Sequence, residues 1–130
     1  MKKLMLVISV MALAVLAGCM TPRTSGVWIE KGRLHVEDPA FASNIEILQD
    51  SRELTPEGFL HAQVTVQNRI RKDFTCLYKF EWKDKNGMVL VHQQTPWTQL
   101  TLHGNEIYTI DGVSILEKAE DFRLKLRRND

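Results

Sequence analysis

A chain of 130 residues with 44% hydrophobic and 25% charged side chains can build one domain and hardly two. That composition excludes a collagen, a disordered tail and a multi-pass membrane protein. Lys and Arg total 17 against 16 Asp and Glu, so net charge offers neither the basic domain usual in nucleic-acid binders nor a long-range pull toward an anionic membrane.

Met1-Lys2-Lys3 is a short basic start, followed by an apolar run from Leu4 to Leu16 in which Ser9 is the one polar residue. A membrane-spanning helix needs about 20 apolar residues; this run is too short for that and suits the hydrophobic region of a secretory signal. It ends at the small residues Ala17 and Gly18 before Cys19. The string Leu16-Ala17-Gly18-Cys19 resembles the lipobox of bacterial lipoproteins in position, spacing and residue types. The resemblance implies a signal peptide over residues 1–18, with Leu16, Ala17 and Gly18 read by the signal peptidase. It also implies cleavage before Cys19, a diacylglyceryl thioether on Cys19 and often a further acyl group, such as palmitate, on the new amino terminus. Each buried CH₂ contributes about 0.8 kcal/mol, so several chains hold a protein firmly on a bilayer. In enterobacterial lipoproteins an Asp after the lipidated Cys favours inner-membrane retention. Met20 stands there, so the expected location is the periplasmic side of the outer membrane, with the inner membrane as the alternative.

With Lys2 and Lys3 removed, the mature chain is close to neutral. Cys76 is then the one unmodified thiol, and no intramolecular disulfide can form despite an oxidising compartment. It falls in phase with apolar neighbours and reads as a small buried hydrophobe. Residues 19–31 read as a lipidated tether, with a reach of at most about 40 Å, and residues 32–130 as the domain. Trp28-Ile29 interrupts the tether's polar run and either docks on the domain or sits at the lipid interface, where Trp is at home.

From Leu34 onward the hydrophobic period is two, the mark of half-buried strands. Leu34 and Val36 alternate with polar residues until Asp38-Pro39 breaks the run. Ile45 and Ile47 alternate likewise, with Leu48 out of phase. Leu60, Ala62, Val64 and Val66 make the cleanest strand, wet on one face. Cys76, Tyr78, Phe80 and Trp82 alternate with Leu77, Lys79, Glu81 and Lys83, and Asn86-Gly87 follows, a strong hairpin signal. Met88–His92 reads as the return strand. Leu100–Leu102 and Ile107–Ile110 flank a turn at His103-Gly104-Asn105. Ser114–Ala119 reads as one helical turn, with Ser114 as N-cap and Glu117 three residues on. Phe122, Leu124 and Leu126 make the last strand. About seven short strands with one helical turn predict an all-β, immunoglobulin-like antiparallel β-sandwich. The expected core includes Ile45, Leu60, Val64, Phe80, Trp82, Val89, Leu102, Ile107, Phe122 and Leu124.

The run Val64-Thr65-Val66-Gln67-Asn68, the aromatic strand Leu77–Asp84 with its Asn86-Gly87 turn, Trp97 and Phe122-Arg123-Leu124 together resemble the YcfL-like family of small envelope lipoproteins. The resemblance covers roughly residues 44–128 and the lipobox. It implies an immunoglobulin-like sandwich in the periplasm with no established activity and no catalytic residues to carry over.

His35, His61, His92 and His103 show no metal-ligand spacing, and no motif for a cofactor or a catalytic nucleophile occurs, so neither metal nor cofactor is expected. Two features suggest binding. Trp97 follows Pro96 in a Gln- and Thr-rich segment and offers an apolar ring. Arg123, Lys125 and Arg127, with Arg128 beside them, form a basic stripe; Arg69, Arg71 and Lys72 form a second basic cluster. The expectation is a non-catalytic binding or adaptor module that meets an envelope protein, with peptidoglycan or another glycan as the alternative ligand and no nucleic acid. Trp97, Arg123, Lys125 and Arg127 are the candidate contact residues.

Overall fold

Val64 and Val66 have no accessible surface, while Gln63, Thr65 and Gln67 between and beside them are half-wet. This alternation is what a strand with one buried face requires, and most of the molecule repeats it. A computed structural model describes residues 26–90 and 96–129. Its elements are β1 (Gly26–Glu30), β2 (Arg33–Val36), α1 (Pro39–Ala42), β3 (Ile45–Leu54), β4 (Leu60–Asn68), β5 (Phe74–Lys83), β6 (Thr98–Leu102), β7 (Ile107–Val113) and β8 (Asp121–Arg128). They form a five-stranded sheet in the order β2-β1-β8-β5-β6 and a three-stranded sheet in the order β3-β4-β7. All pairings are antiparallel.

The two sheets interlock. β4 pairs with β7 in one and β5 with β8 in the other, so each strand of a consecutive pair finds its neighbour three strands on. That is the Greek-key relation of an immunoglobulin-like sandwich. The core is made by Phe80, Trp82, Phe122, Leu124 and Leu126 from the larger sheet against Leu60, Val64, Val66 and Ile110 from the smaller. Phe80 stacks on Trp82 at 5.3 Å and tilts against Phe122 at 5.9 Å. Among the described residues the buried apolar side chains run from Val27 to Leu126.

Several expectations are corrected. Residues 26–30, read as the end of the tether, are an inner strand, because Val27 and Ile29 are 1% exposed and pair with β8. The described residues form eight strands, in keeping with the about seven expected. The helical turn lies at Pro39–Ala42, where Asp38 accepts a hydrogen bond from the Phe41 N–H and Pro39 begins the helix. Ser114–Ala119 forms no helix: Ser114 Oγ instead accepts from the Leu116 N–H two residues on, a local turn that competes with helix. The Asn86-Gly87 turn forms, with Gly87 at φ +80° and the Asp84 carboxylate accepting from the Asn86 and Met88 N–H groups. The return segment makes only the single bridge Lys83–Val89, and Val91 and His92 lie outside the described residues. Beside β5 the next strand is β6. Val89 and Ile107 are exposed, Ile107 because it shares the outer face of β7 with Gln67. Leu48 is out of phase because a β-bulge between Ile47 and Gln49 leaves it without a partner.

Asn68 is fully buried at the end of β4 and satisfies itself completely. Its Nδ2 donates to the carbonyls of Lys72 and His103 at 2.8 Å, and its Oδ1 accepts from the Ile70 N–H at 3.0 Å. It ties the β4–β5 turn to the β6–β7 turn. Elsewhere the sheets approach so closely that a Cβ on Gly112 of β7 would meet the Phe80 ring at 2.5 Å. Gly112→Ala should therefore destabilise the domain by about 1–3 kcal/mol through overpacking, measured by urea denaturation. Phe80→Leu in the Gly112→Ala background should recover part of that loss, a coupling that independent sites would not show.

Candidate functional site

The period of two on β8 buries Phe122, Leu124 and Leu126 and turns Arg123, Lys125 and Arg127 outward. Register then decides their neighbours. Lys125 lies between Trp28 of β1 and Lys79 of β5; Arg123 between Glu30 and Glu81; Arg127 between Gly26 and Leu77. The outer face of the five-stranded sheet is thus a lattice of cations, carboxylates and a tryptophan.

Most of these charges are paired. Glu30 accepts from Arg123 Nη2 at 3.0 Å and from Lys83, whose side chain is almost wholly buried. Glu81 meets Lys125 at 2.6 Å and Arg123 at 3.6 Å. Burial, with the Arg123 charge nearby, holds the Lys83 pKa below the ordinary lysine value. Arg128 points to the other side and binds Asp38 at 2.8 Å, so it leaves the stripe. Arg69, Arg71 and Lys72 are exposed in the β4–β5 turn, apart from the strand-borne cations.

Trp97, just before β6, covers the two cations that remain. Arg127 Cζ lies 4.1 Å and Lys79 Nζ 4.8 Å from its ring centroid, within the range of cation–π attraction. On β1, Trp28 stacks on His35 at 5.1 Å, with Arg123 Cζ 5.8 Å from its ring. Between the two tryptophans is a pocket of about 200 Å³, lined by Gly26, Val27, Trp28, Glu37, Trp97, Arg123, Lys125, Leu126 and Arg127. All four candidate contact residues therefore meet in one place. Trp28 in the lining and Lys79 beside Trp97 were not among them. Their outward phase is legible in the sequence, but the pairing of β1 and β5 with β8 is not.

Other polar groups resolve into local contacts. A depression of about 480 Å³ between the β1–β2 turn and β3 is spanned by Arg52, which binds Asp121 at 2.7 Å and the Glu120 carbonyl at 3.0 Å. On the outer face of the smaller sheet, His61 Nε2 is 2.8 Å from Asp111 and its Nδ1 faces Glu53 at 3.8 Å. Hydrogen bonds from Gln63 and His61 hold the Asp111 pKa below its ordinary value. Among the described residues no three His, Cys, Asp or Glu side chains converge as a metal site, and no helix is long and apolar enough to cross a membrane. The lipobox residues Leu16, Ala17, Gly18 and Cys19 and the histidine His92 lie outside the described residues.

The family described as "Protein of unknown function (DUF1425)" matches residues 32–128, and the chain belongs to it. The crystal structure of a member of that family from Shewanella sp. pv-4 is similar, at 25% identity and a TM-score of 0.62, over 88% of this chain and 98% of that one. The crystal structure of Campylobacter jejuni cj0090 shares the fold, at 23% identity and a TM-score of 0.57, over 64% of this chain and 85% of that one. No curated protein sequence matches significantly.

Burial pushes the Cys76 thiol up to about 12, so at neutral pH almost none of it is the reactive thiolate. In the chain from residue 20 onward, Ellman's reagent should find no thiol in the native protein and one after denaturation. A second prediction concerns pH. The hydrogen bond that His103 Nδ1 donates to Asp73 Oδ2, at 3.1 Å, raises the His103 pKa above the ordinary 6.5. The stabilisation from this pair is complete below the unfolded histidine's pKa and is lost as pH rises through the folded value. NMR titration should place the His103 midpoint above 6.5, and Asp73→Asn should bring it down.

Proposed function

We propose that this chain is a lipid-anchored, non-catalytic binding or adaptor module of the bacterial envelope, held through Cys19 on the periplasmic side of the outer membrane. In this reading it binds through the outer face of its five-stranded sheet. The resemblance to YcfL-like envelope lipoproteins supports the location. The observation that carries the binding face is the convergence of Trp97, Arg123, Lys125 and Arg127 with Trp28 around one pocket. An aromatic ring offers area at low entropic cost, and a guanidinium beside it offers directed donors; both are favoured at binding surfaces.

The shape of the site favours binding over turnover. A catalytic base needs a proton-accepting atom aimed at an enclosed reacting position, whereas two carboxylates of this face, Glu30 and Glu81, are engaged by Arg123, Lys83 and Lys125, and the pocket between the tryptophans, with Glu37 in its wall, is shallow and lined mainly by cations and rings. A second reading, peptidoglycan or another glycan as ligand, is favoured by the two tryptophan rings, because the C–H face of a sugar stacks on an apolar ring.

A photo-crosslinking residue placed at the exposed Gln99, on the outer face of β6, should give adducts in intact envelopes. The same residue at Gln49, on the outer face of the smaller sheet, should give few. Equal yields, or adducts from Gln49 alone, would count against this surface. Mass spectrometry of the membrane-extracted protein checks the anchor independently: the mature chain should begin at an acylated Cys19. Sedimentation with purified sacculi, compared between the wild type and Trp97→Ala/Arg127→Ala, decides the glycan reading.

A further inference from the structure

The near-neutral charge of the chain conceals a separation between its two faces. On the outer face of the larger sheet, Lys79, Lys83, Arg123, Lys125 and Arg127 outnumber Glu30, Glu81 and Asp121. The outer face of the smaller sheet carries Glu46, Glu53 and Asp111 and no lysine or arginine among its register partners. Within β5 and β8, the cations with no carboxylate partner among the described residues are Lys79 and Arg127, the two that lie against Trp97. Unpaired positive charge is therefore gathered at Trp97, with Arg127 in the pocket wall and Lys79 beside it; against it stands Glu37, the one carboxylate of the lining, while Arg123, Lys125 and Arg127 give that lining three cations.

The pocket is also the part of the domain that a tether would hold nearest to a membrane. β1 begins at Gly26, which lies opposite Arg127 and lines the pocket. With the lipid on Cys19, the six residues 20–25 allow at most about 25 Å between the lipid-bearing residue and Gly26. Tryptophan favours the interface between headgroups and hydrocarbon, and Lys or Arg near an anionic surface contributes about 1 kcal/mol each.

We propose that the Trp28–Trp97 pocket binds the headgroup phosphate of an anionic phospholipid, and that this contact lays the outer face of the five-stranded sheet on the bilayer. The Arg127 guanidinium and the Lys79 ammonium donate to the phosphate oxygens, and the Trp97 ring takes the interfacial level beside them. The acidic outer face of the smaller sheet then points away from the membrane, which also follows from charge. The proposal rests on the anchored binding module described above and names the ligand of its site.

The test uses the chain from residue 20 onward, which contains every buried side chain of the described residues, so that any binding comes from the pocket and not from the acyl groups. It is sedimented with vesicles of phosphatidylcholine alone and of equal parts phosphatidylcholine and phosphatidylglycerol. Binding should occur with the anionic vesicles only, weaken with salt and shift tryptophan emission to the blue. Arg127→Gln and Lys79→Gln should each lower the affinity about fivefold, and Trp97→Ala should remove most of the emission shift. Glu53→Gln, on the opposite face, should bind as the wild type does. Circular dichroism confirms that each variant is folded. Absence of binding to the anionic vesicles, or binding that Arg127→Gln and Lys79→Gln leave unchanged, overturns the proposal. Retention on sacculi that these variants abolish, without vesicle binding, also overturns it while leaving the binding face intact. Failure of the anchor itself is read separately, from the mass of the mature chain.

Discussion

The pairing of β5 with β8 is the constraint on which the rest of this molecule depends. Eight register pairs, from Cys76–Arg128 to Lys83–Asp121, align two strands whose side chains alternate in phase. One face of this ribbon carries Phe80, Trp82, Phe122 and Leu124 into the core. The other carries Lys79, Glu81, Arg123 and Lys125 to the outside. Because the period of a strand is two, a slip of one residue would bury charges and expose aromatics together. The register that builds the core is thus the register that assembles the candidate site.

The outer lattice also holds the larger sheet together. Lys83 is nearly buried, and the Glu30 carboxylate beside it compensates its charge. Leaving such a group unpaired would be strongly unfavourable. Arg123 joins the same carboxylate and reaches Glu81, so β1, β8 and β5 are cross-linked on the face away from the core. This network absorbs the cations in the middle of the sheet and leaves Arg127 and Lys79, toward β6 and Trp97, to meet something else. The separation of roles follows from geometry alone: a carboxylate stands opposite Arg123 on either side, and none stands opposite Arg127.

The docking of β1 changes how the amino-terminal region relates to the domain. Val27 and Ile29 enter the core and Trp28 turns outward, so of the two possibilities open for Trp28-Ile29 the structure realises docking on the domain. The domain's first strand becomes part of the pocket wall. A lipid on Cys19 and a binding surface at Gly26 and Trp28 would then be neighbours by chain length, whatever the ligand.

Alternation along single strands made much of this legible from residues alone. It marked Val64, Phe80, Trp82, Phe122 and Leu124 as inward and Arg123, Lys125 and Arg127 as outward, and with the spacing of turns it indicated an antiparallel sandwich. It could not place short segments whose fate depends on a partner far along the chain. Residues 26–30 look like linker until β8 pairs with them, Ile107 looks like core until no sheet covers it, and Ser114 looks like a helix cap until its hydroxyl bonds locally. The amino-acid order by itself determined which side chains share a face of each strand, because that follows from backbone geometry over a few residues. Only the tertiary structure decided which faces meet, bringing Trp28, Lys79, Trp97 and Arg127 together from four separate parts of the chain, because strand order and register are set by contacts between residues distant in sequence.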